Sequence, residues 1–123
     1  MKIDLAEFFR RIFTVPAAKR RAASRLLEHH ARQMADELAA LISSKIADAP
    51  RLSDDLILQI LKAVDKWIAR QPRETQILLT IVRTKVEAIL IDYLGKLEDG
   101  ARQAIIERVR GALYQVFGVR EEK

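Results

Sequence analysis

The sequence predicts an all-α fold, a helical bundle of about five helices in which one short N-terminal amphipathic helix precedes four longer ones. Hydrophobic residues recur every three to four positions along most of the chain, which is the period of an amphipathic helix. No segment shows the sustained polar–apolar alternation that is typical of a β-strand. The chain has only four glycines and three prolines, which leaves few sites for hairpin turns.

The length of 123 residues predicts one domain, organised as an N-terminal arm over residues 1–15, a bundle over residues 16–118 and a polar tail over residues 119–123. Because cysteine is absent, disulfides and thiolate chemistry are excluded, which fits a reducing compartment. Charged residues such as Asp4 and Glu7 interrupt the apolar stretch that a secretory signal requires. We expect a cytoplasmic protein, either free or at the periphery of the membrane.

The arm is predicted to form a helix from Leu5 to Phe13 that carries three of the chain's four phenylalanines. Asp4 suits the N-cap, and Glu7 completes a capping-box-like pair. Pro16 ends this helix, because proline disfavours the helical conformation of the residue before it.

A long second helix is predicted from Pro16 to about Ala47, and a third from the N-cap Ser53 to the region before Pro72. The apolar side of the second helix is expected to contain Ala23, Leu26, Leu27, His30, Met34, Leu38, Leu41 and Ile42. The apolar side of the third is expected to contain Leu56, Ile57, Ile60, Leu61, Val64, Trp67 and Ile68.

The stretch from Gln76 to Leu97 is predicted to be the central helix of the bundle. One side of its helical wheel holds Leu78, Leu79, Val82, Val86, Ile89, Leu90, Tyr93 and Leu97. The other side holds Ile77, Ile81, Ala88, Ile91 and Leu94. A helix that is apolar nearly all round is normally surrounded by others, so we expect both sides to be buried. Arg83 and Asp92 interrupt it too often for a membrane span.

A tight corner is expected at Asp99 and Gly100, where glycine tolerates the left-handed conformation of a helix C-cap. A last helix is expected to follow from about Ala101 to Phe117. Two of the helices approach or exceed 25 residues, or about 40 Å, whereas a compact domain of this size is nearer 30 Å across. This length predicts a homodimer or a protein partner that buries the excess. A monomer with bent helices is the competing interpretation.

No pattern typical of an enzyme is present, since glycine-rich phosphate loops and metalloprotease or hydrolase motifs are absent. His29 and His30 point about 100° apart on a helix and are poorly placed to bind one metal. Ser43, Ser44 and Lys45 are poorly placed for a Ser–Lys catalytic pair, because side chains one or two positions apart on a helix do not face each other. Asp54 and Asp55 suit the start of a helix, where negative charge is stabilising, better than acid–base catalysis. We therefore expect no enzymatic activity, no cofactor, no metal and no small-molecule substrate.

Positive charge is concentrated near the N-terminus. The segment from Arg10 to Arg32 contains seven basic residues and one acid, a local charge of +6, whereas the rest of the chain sums to −1. Local positive charge attracts polyanions. The candidate polyanion-binding face comprises Arg10, Arg11, Lys19, Arg20, Arg21, Arg25 and Arg32. A candidate aromatic face for a partner or membrane comprises Phe8, Phe9, Ile12 and Phe13.

Three interpretations of this N-terminal segment stay open. The aromatic face packs on the protein's own core and the arginines are solvated, or the arm lies in an anionic membrane interface with the arginines at the headgroups. In the third, Arg21, Arg25 and Arg32 contact nucleic-acid phosphates without reading sequence.

The residues LAEFFRRIF followed by PAAKRRAASRLLE resemble the membrane-targeting start of the MinE division-site regulators, over about 25 residues. The resemblance implies contact of an aromatic–basic helix with lipid. The rest of the chain is predicted to be helical where that family builds strands, so the resemblance bears on the chemistry of the arm and assigns no family.

These observations predict a non-enzymatic helical interaction or adaptor protein, oligomeric, that acts through its basic N-terminal surface and through protein contacts. The alternative is a nonspecific nucleic-acid-binding or anionic-membrane-binding helical protein.

Overall fold

A computed structural model describes the backbone of residues 17–119 and the side chains of residues 28–119. Over this range the chain is all-helical, as the sequence predicts, and contains no strand. The helices are α1 (Ala17–Ile46), α2 (Asp54–Ala69), α3 (Arg73–Asp92) and α4 (Asp99–Phe117). The predicted arm helix and most of the predicted tail lie outside the described residues.

The four described helices form a ring in which each packs against two others. α1 contacts α2 and α4, and α3 contacts α2 and α4, so α1 and α3 stand diagonally opposite each other. Contacts between α1 and α4 run in opposite sequence directions: Arg102 bonds to Ala47, and farther along Arg32 lies over Tyr114. Neighbouring helices are therefore antiparallel, which the short connections between them require.

The core lies along the axis of this ring. The predicted apolar sides of α1 and α2 are confirmed as buried or partly buried wherever the side chains are described, and α4 also buries one side. The largest fully buried side chains come from all four helices and one loop: Met34, Leu38, Ile42, Ile46, Leu52, Ile60, Leu79, Leu90, Ile105 and Leu113.

Two loops meet at one end of the bundle and are bonded to each other. The Gly95 amide donates a hydrogen bond to the Leu52 carbonyl at 2.7 Å, while Leu52 and Leu97 are buried beneath the loops. The Arg102 guanidinium donates to the carbonyls of Ala47 and Ala49 at 3.3 and 2.6 Å. These contacts give hydrogen-bond partners to backbone carbonyls of the loop that follows α1.

Helix boundaries agree with local sequence signals at most positions. Ser53 is the N-cap of α2, as predicted, because its side chain accepts a hydrogen bond from the Leu56 amide. The predicted corner at Asp99 and Gly100 is wrong: both residues belong to the first turn of α4. The left-handed residue is Gly95, with φ of 82°, because the chain turns directly after α3.

The prediction that the stretch from Gln76 to Leu97 is a surrounded central helix is also wrong. α3 ends at Asp92 and occupies one corner of the ring, with neighbours on two sides. One side of the helix is buried as predicted, but Ile77, Ile81 and Ile91 on the other side are exposed. Among the described helices only α1, at 30 residues, exceeds 25.

Candidate interaction surface

The exposed side of α3 carries an apolar stripe that we call the outer stripe. It consists of five exposed residues: Ile77, Ile81, Thr84, Ala88 and Ile91. Their spacing of four, three, four and three residues confines them to about 80° of arc on a helix. This is the spacing by which one helix packs along another, and no charged residue interrupts it. No described helix of the chain covers the stripe.

Exposure of these side chains is high for large hydrophobic groups. The exposed large hydrophobic residues in the described part of the chain are Leu58 at 57%, Ile77 at 76%, Ile81 at 46%, Ile91 at 55% and Leu94 at 46%. The four of these residues that lie on or just after α3 together expose on the order of 400 Å² of apolar surface. This area is similar to that of the largest apolar patch on a typical monomer, and such patches are often functional.

Two threonines on this side of α3 have hydroxyls that bond within the helix. Thr84 donates to the Thr80 carbonyl at 3.3 Å, and Thr80 donates to the Gln76 carbonyl at 2.8 Å. A hydroxyl that keeps an internal partner can lose water at low cost. The outer stripe can therefore be covered by apolar groups without leaving these donors unsatisfied.

The side of the stripe that faces α2 is bounded by ion pairs. Arg83 donates to Asp65 of α2 at 2.6 Å and to Glu87 at 3.2 Å. Leu58 lies two turns before Asp65 on α2, on the same face, and Leu94 follows α3 directly. The rim on this side is thus charged in its middle and apolar at one end.

The side that faces α4 borders an open groove of about 370 Å³ between α3 and α4. Small residues of both helices line it, including Ala88, Gly111 and Ala112, and Lys85 and Arg108 stand at its edge. Arg108 is held by Asp92 at 3.2 Å and lies 5.6 Å from the centre of the Tyr93 ring. The groove is large enough to receive an aliphatic side chain beside the stripe.

The residues singled out from the sequence lie elsewhere. Phe8, Phe9, Arg10, Arg11, Ile12 and Phe13 fall outside the described residues. Lys19, Arg20, Arg21 and Arg25 belong to α1, but their side chains are not described. Arg32 is described: it pairs with Glu28 at 3.8 Å and lies 5.9 Å from the centre of the Tyr114 ring.

Groups with catalytic potential are engaged in local contacts. Ser44 donates to the Leu41 carbonyl at 2.7 Å, and Asp54 lies exposed in the first turn of α2. Burial lowers the pKa of His30, an effect that Glu37 opposes, and its buried Nε2 has no hydrogen-bond partner. Glu37 also accepts a hydrogen bond from the Trp67 indole at 3.1 Å. Within residues 28–119 no three His, Asp or Glu side chains cluster as metal ligands.

Sequence reasoning assigned the outer stripe to the core and so missed it as a surface. The signal that identifies it is the pairing of two separate apolar stripes on one helix, each with its own heptad-like spacing. One stripe suffices for a helix at the corner of a ring. The second stripe is therefore left exposed by the described helices.

None of the helices in the described part of the chain is both long and apolar enough to cross a bilayer. Comparison of the chain with protein-family models, curated proteins and solved structures finds no match.

Proposed function

We propose that this protein is a non-enzymatic interaction module, an oligomeric adaptor in the cytoplasm that binds another protein chain through the outer stripe of α3. The observation that carries the proposal is the continuous exposure of Ile77, Ile81 and Ile91 along one face of a well-formed helix. Exposed apolar area of this size with a polar rim is typical of protein contact sites.

The form of the surface indicates the class of partner. A straight apolar line that runs along most of the 20-residue helix α3 matches the face of another helix better than it matches a peptide strand, which needs an open sheet edge. Thr80 and Thr84 keep their internal hydrogen bonds when covered, and Arg83 and Glu87 form a charged border. An amphipathic helix with an apolar face is the partner that this arrangement fits.

We propose the contact on α3 rather than on the basic segment because α3 exposes a continuous apolar face. Arg32, the basic candidate whose side chain is described, engages Glu28 and Tyr114. The other basic and aromatic candidates stay an additional contact surface in this proposal, for a polyanion or for the same partner.

Affinity capture with matched variants tests the proposal. The full-length protein, Ile77→Glu/Ile81→Glu and Ala40→Glu are immobilised and exposed both to a differently tagged copy of the chain and to native extract. Ala40 is an exposed position on α1, diagonally opposite α3, so it controls for added charge. We expect the stripe variant to lose bound protein at least ~100-fold, because two carboxylates would be buried in an apolar contact.

The control is expected to bind as the unaltered protein does. Circular dichroism should give the same helix content for all three, since the altered positions are exposed. Equal capture by the stripe variant and the unaltered protein, or no bound chain in either arm, would refute a contact role for the outer stripe.

A further inference from the structure

We infer that the chain covering the outer stripe is a second copy of this protein, with the two α3 helices packed antiparallel and Ile77 of each copy set over Ala88 of the other. This inference rests on the proposed function, because it names the partner of the same surface. Three features of the described residues support it: the spacing of the stripe, the fit of side-chain sizes and the charges that flank it.

Large and short side chains occupy different parts of the stripe. Ile77 and Ile81 form its first half, and the shorter Thr84 and Ala88 follow them, before Ile91. A two-fold dimer requires one patch that complements itself, which such a pattern provides. Two such helices can pack along their length when they run in opposite directions.

Side-chain size selects the alignment of the two helices. Ile77 is the most exposed large hydrophobic residue of the described part of the chain, at 76%, whereas Ala88 is the smallest residue of the stripe and borders the groove between α3 and α4. Setting Ile77 of one copy over Ala88 of the other puts this exposed isoleucine beside the groove. The same alignment brings Ile81 of each copy over Thr84 of the other.

Charges beside the stripe favour this alignment over its competitors. In a parallel pair, Glu87 of one copy would lie beside Asp92 of the other. In an antiparallel pair shifted by one heptad, Lys85 would face Lys85 and Glu87 would face Glu87. In the alignment proposed here Lys85 faces Leu78 and Glu87 faces Thr80, so no like charges meet.

The area available sets the strength of the contact. The stripe offers roughly half of the 800 Å² or so that each partner buries in a standard interface, and its rim supplies part of the rest. We therefore expect a reversible dimer with a dissociation constant on the order of micromolar.

Disulfide trapping tests the inference, because the chain contains no cysteine of its own. In the full-length double variant Ile77→Cys/Ala88→Cys the two thiols lie eleven residues apart, about 16 Å along one helix, so they cannot bridge within a chain. Across the proposed dimer they pair twice. Mild oxidation should yield a reducible covalent dimer of twice 14.1 kDa at least ~10-fold faster than in the control Ile77→Cys/Ala40→Cys.

Two outcomes would overturn the inference: equal rates for the double variant and its control, or rapid cross-linking of Ile77→Cys alone, which indicates a parallel pair. Neither outcome by itself removes the proposed function, because capture of a different protein that is lost in Ile77→Glu/Ile81→Glu would still support it. Absence of both cross-linking and stripe-dependent capture refutes the two together. Thermal unfolding followed by circular dichroism verifies that each cysteine variant is folded.

Discussion

His29 and His30 are adjacent in the sequence but differ in their surroundings. His29 is exposed, whereas His30 is partly buried with its Nε2 atom shielded from water and without a partner. Burial lowers the pKa of His30 from its ordinary value of 6.5, and the charge of Glu37 counteracts this in part. The folded protein therefore favours the neutral imidazole at this position.

The free energy of unfolding should depend on pH through His30. Because its pKa is lower in the folded state than in the unfolded chain, the unfolded chain binds more protons below about pH 6.5, and stability falls as the pH drops through that value. Urea unfolding at about pH 7.5 and about pH 5.5 measures this loss. We expect His30→Gln to reduce this loss of stability; a loss that is the same in His30→Gln and in the unaltered protein would contradict the assignment.

Side chains at residue scale were predicted well where one local rule decides the outcome. Ser53 caps α2 because its hydroxyl reaches the Leu56 amide, which the sequence indicates directly. Cross-helix partners were not predictable, since Arg102 reaches the carbonyls of Ala47 and Ala49 from more than fifty positions away. Such pairs depend on how helices are arranged, and periodicity does not contain that information.

At the scale of helices and loops, two neighbouring glycines have different roles: Gly95 lies in the turn between α3 and α4, and Gly100 lies in α4. Gly95 has φ of 82°, a conformation that residues with a Cβ rarely adopt, and its amide ties the turn to Leu52. Gly100 lies inside the first turn of α4 with open space around it. The sequence prediction chose Gly100 as the left-handed residue because it follows an aspartate at an apparent boundary.

Alanine substitution should separate these two glycines. Gly95→Ala is expected to lower the free energy of unfolding by about 1–2 kcal/mol, the cost of a left-handed conformation for a residue with a Cβ. Gly100→Ala should cause no loss, because alanine is a better helix former than glycine and nothing lies within 4 Å of the added methyl. Urea denaturation measures both, and the reverse order would contradict the turn geometry.

The two faces of α3 provide a second test at this scale. Leu79 is fully buried, whereas Ile77 is exposed on the outer stripe two residues earlier. Leu79→Ala should cost about 2–5 kcal/mol, the usual range for a buried leucine. Ile77→Ala should change the stability of the dilute monomer by less than about 0.5 kcal/mol. Similar losses for both, measured by urea unfolding at low protein concentration, would mean that the outer stripe belongs to the core.

For the whole molecule, the sequence predicted the fold class and the limits of most helices but not their arrangement. Periodicity identifies the apolar faces of a helix, yet it does not count the neighbours that cover them. α3 has two apolar faces, and the prediction buried both within one chain. The ring of α1 to α4 buries one of them, and the other remains on the surface as the candidate site.

The oligomer prediction from helix length keeps only part of its basis. Excess helix length was expected to require a partner, but α3 is 20 residues long and fits the bundle, and among the described helices only α1, at 30 residues, exceeds 25. The reason to expect a second chain is instead apolar area without a covering helix. We therefore base the oligomer proposal on the outer stripe, and the basic segment of α1 and the arm stay separate predictions.

Sedimentation equilibrium of the full-length protein over a wide concentration range tests the pairing of α3 helices most directly. We expect the average mass to rise from 14.1 kDa toward twice that value near micromolar concentrations and above, with the same rise in Ala40→Glu and none in Ile77→Glu/Ile81→Glu. A mass of 14.1 kDa for the unaltered chain at every concentration, or a dimer that survives the two glutamates, would contradict it.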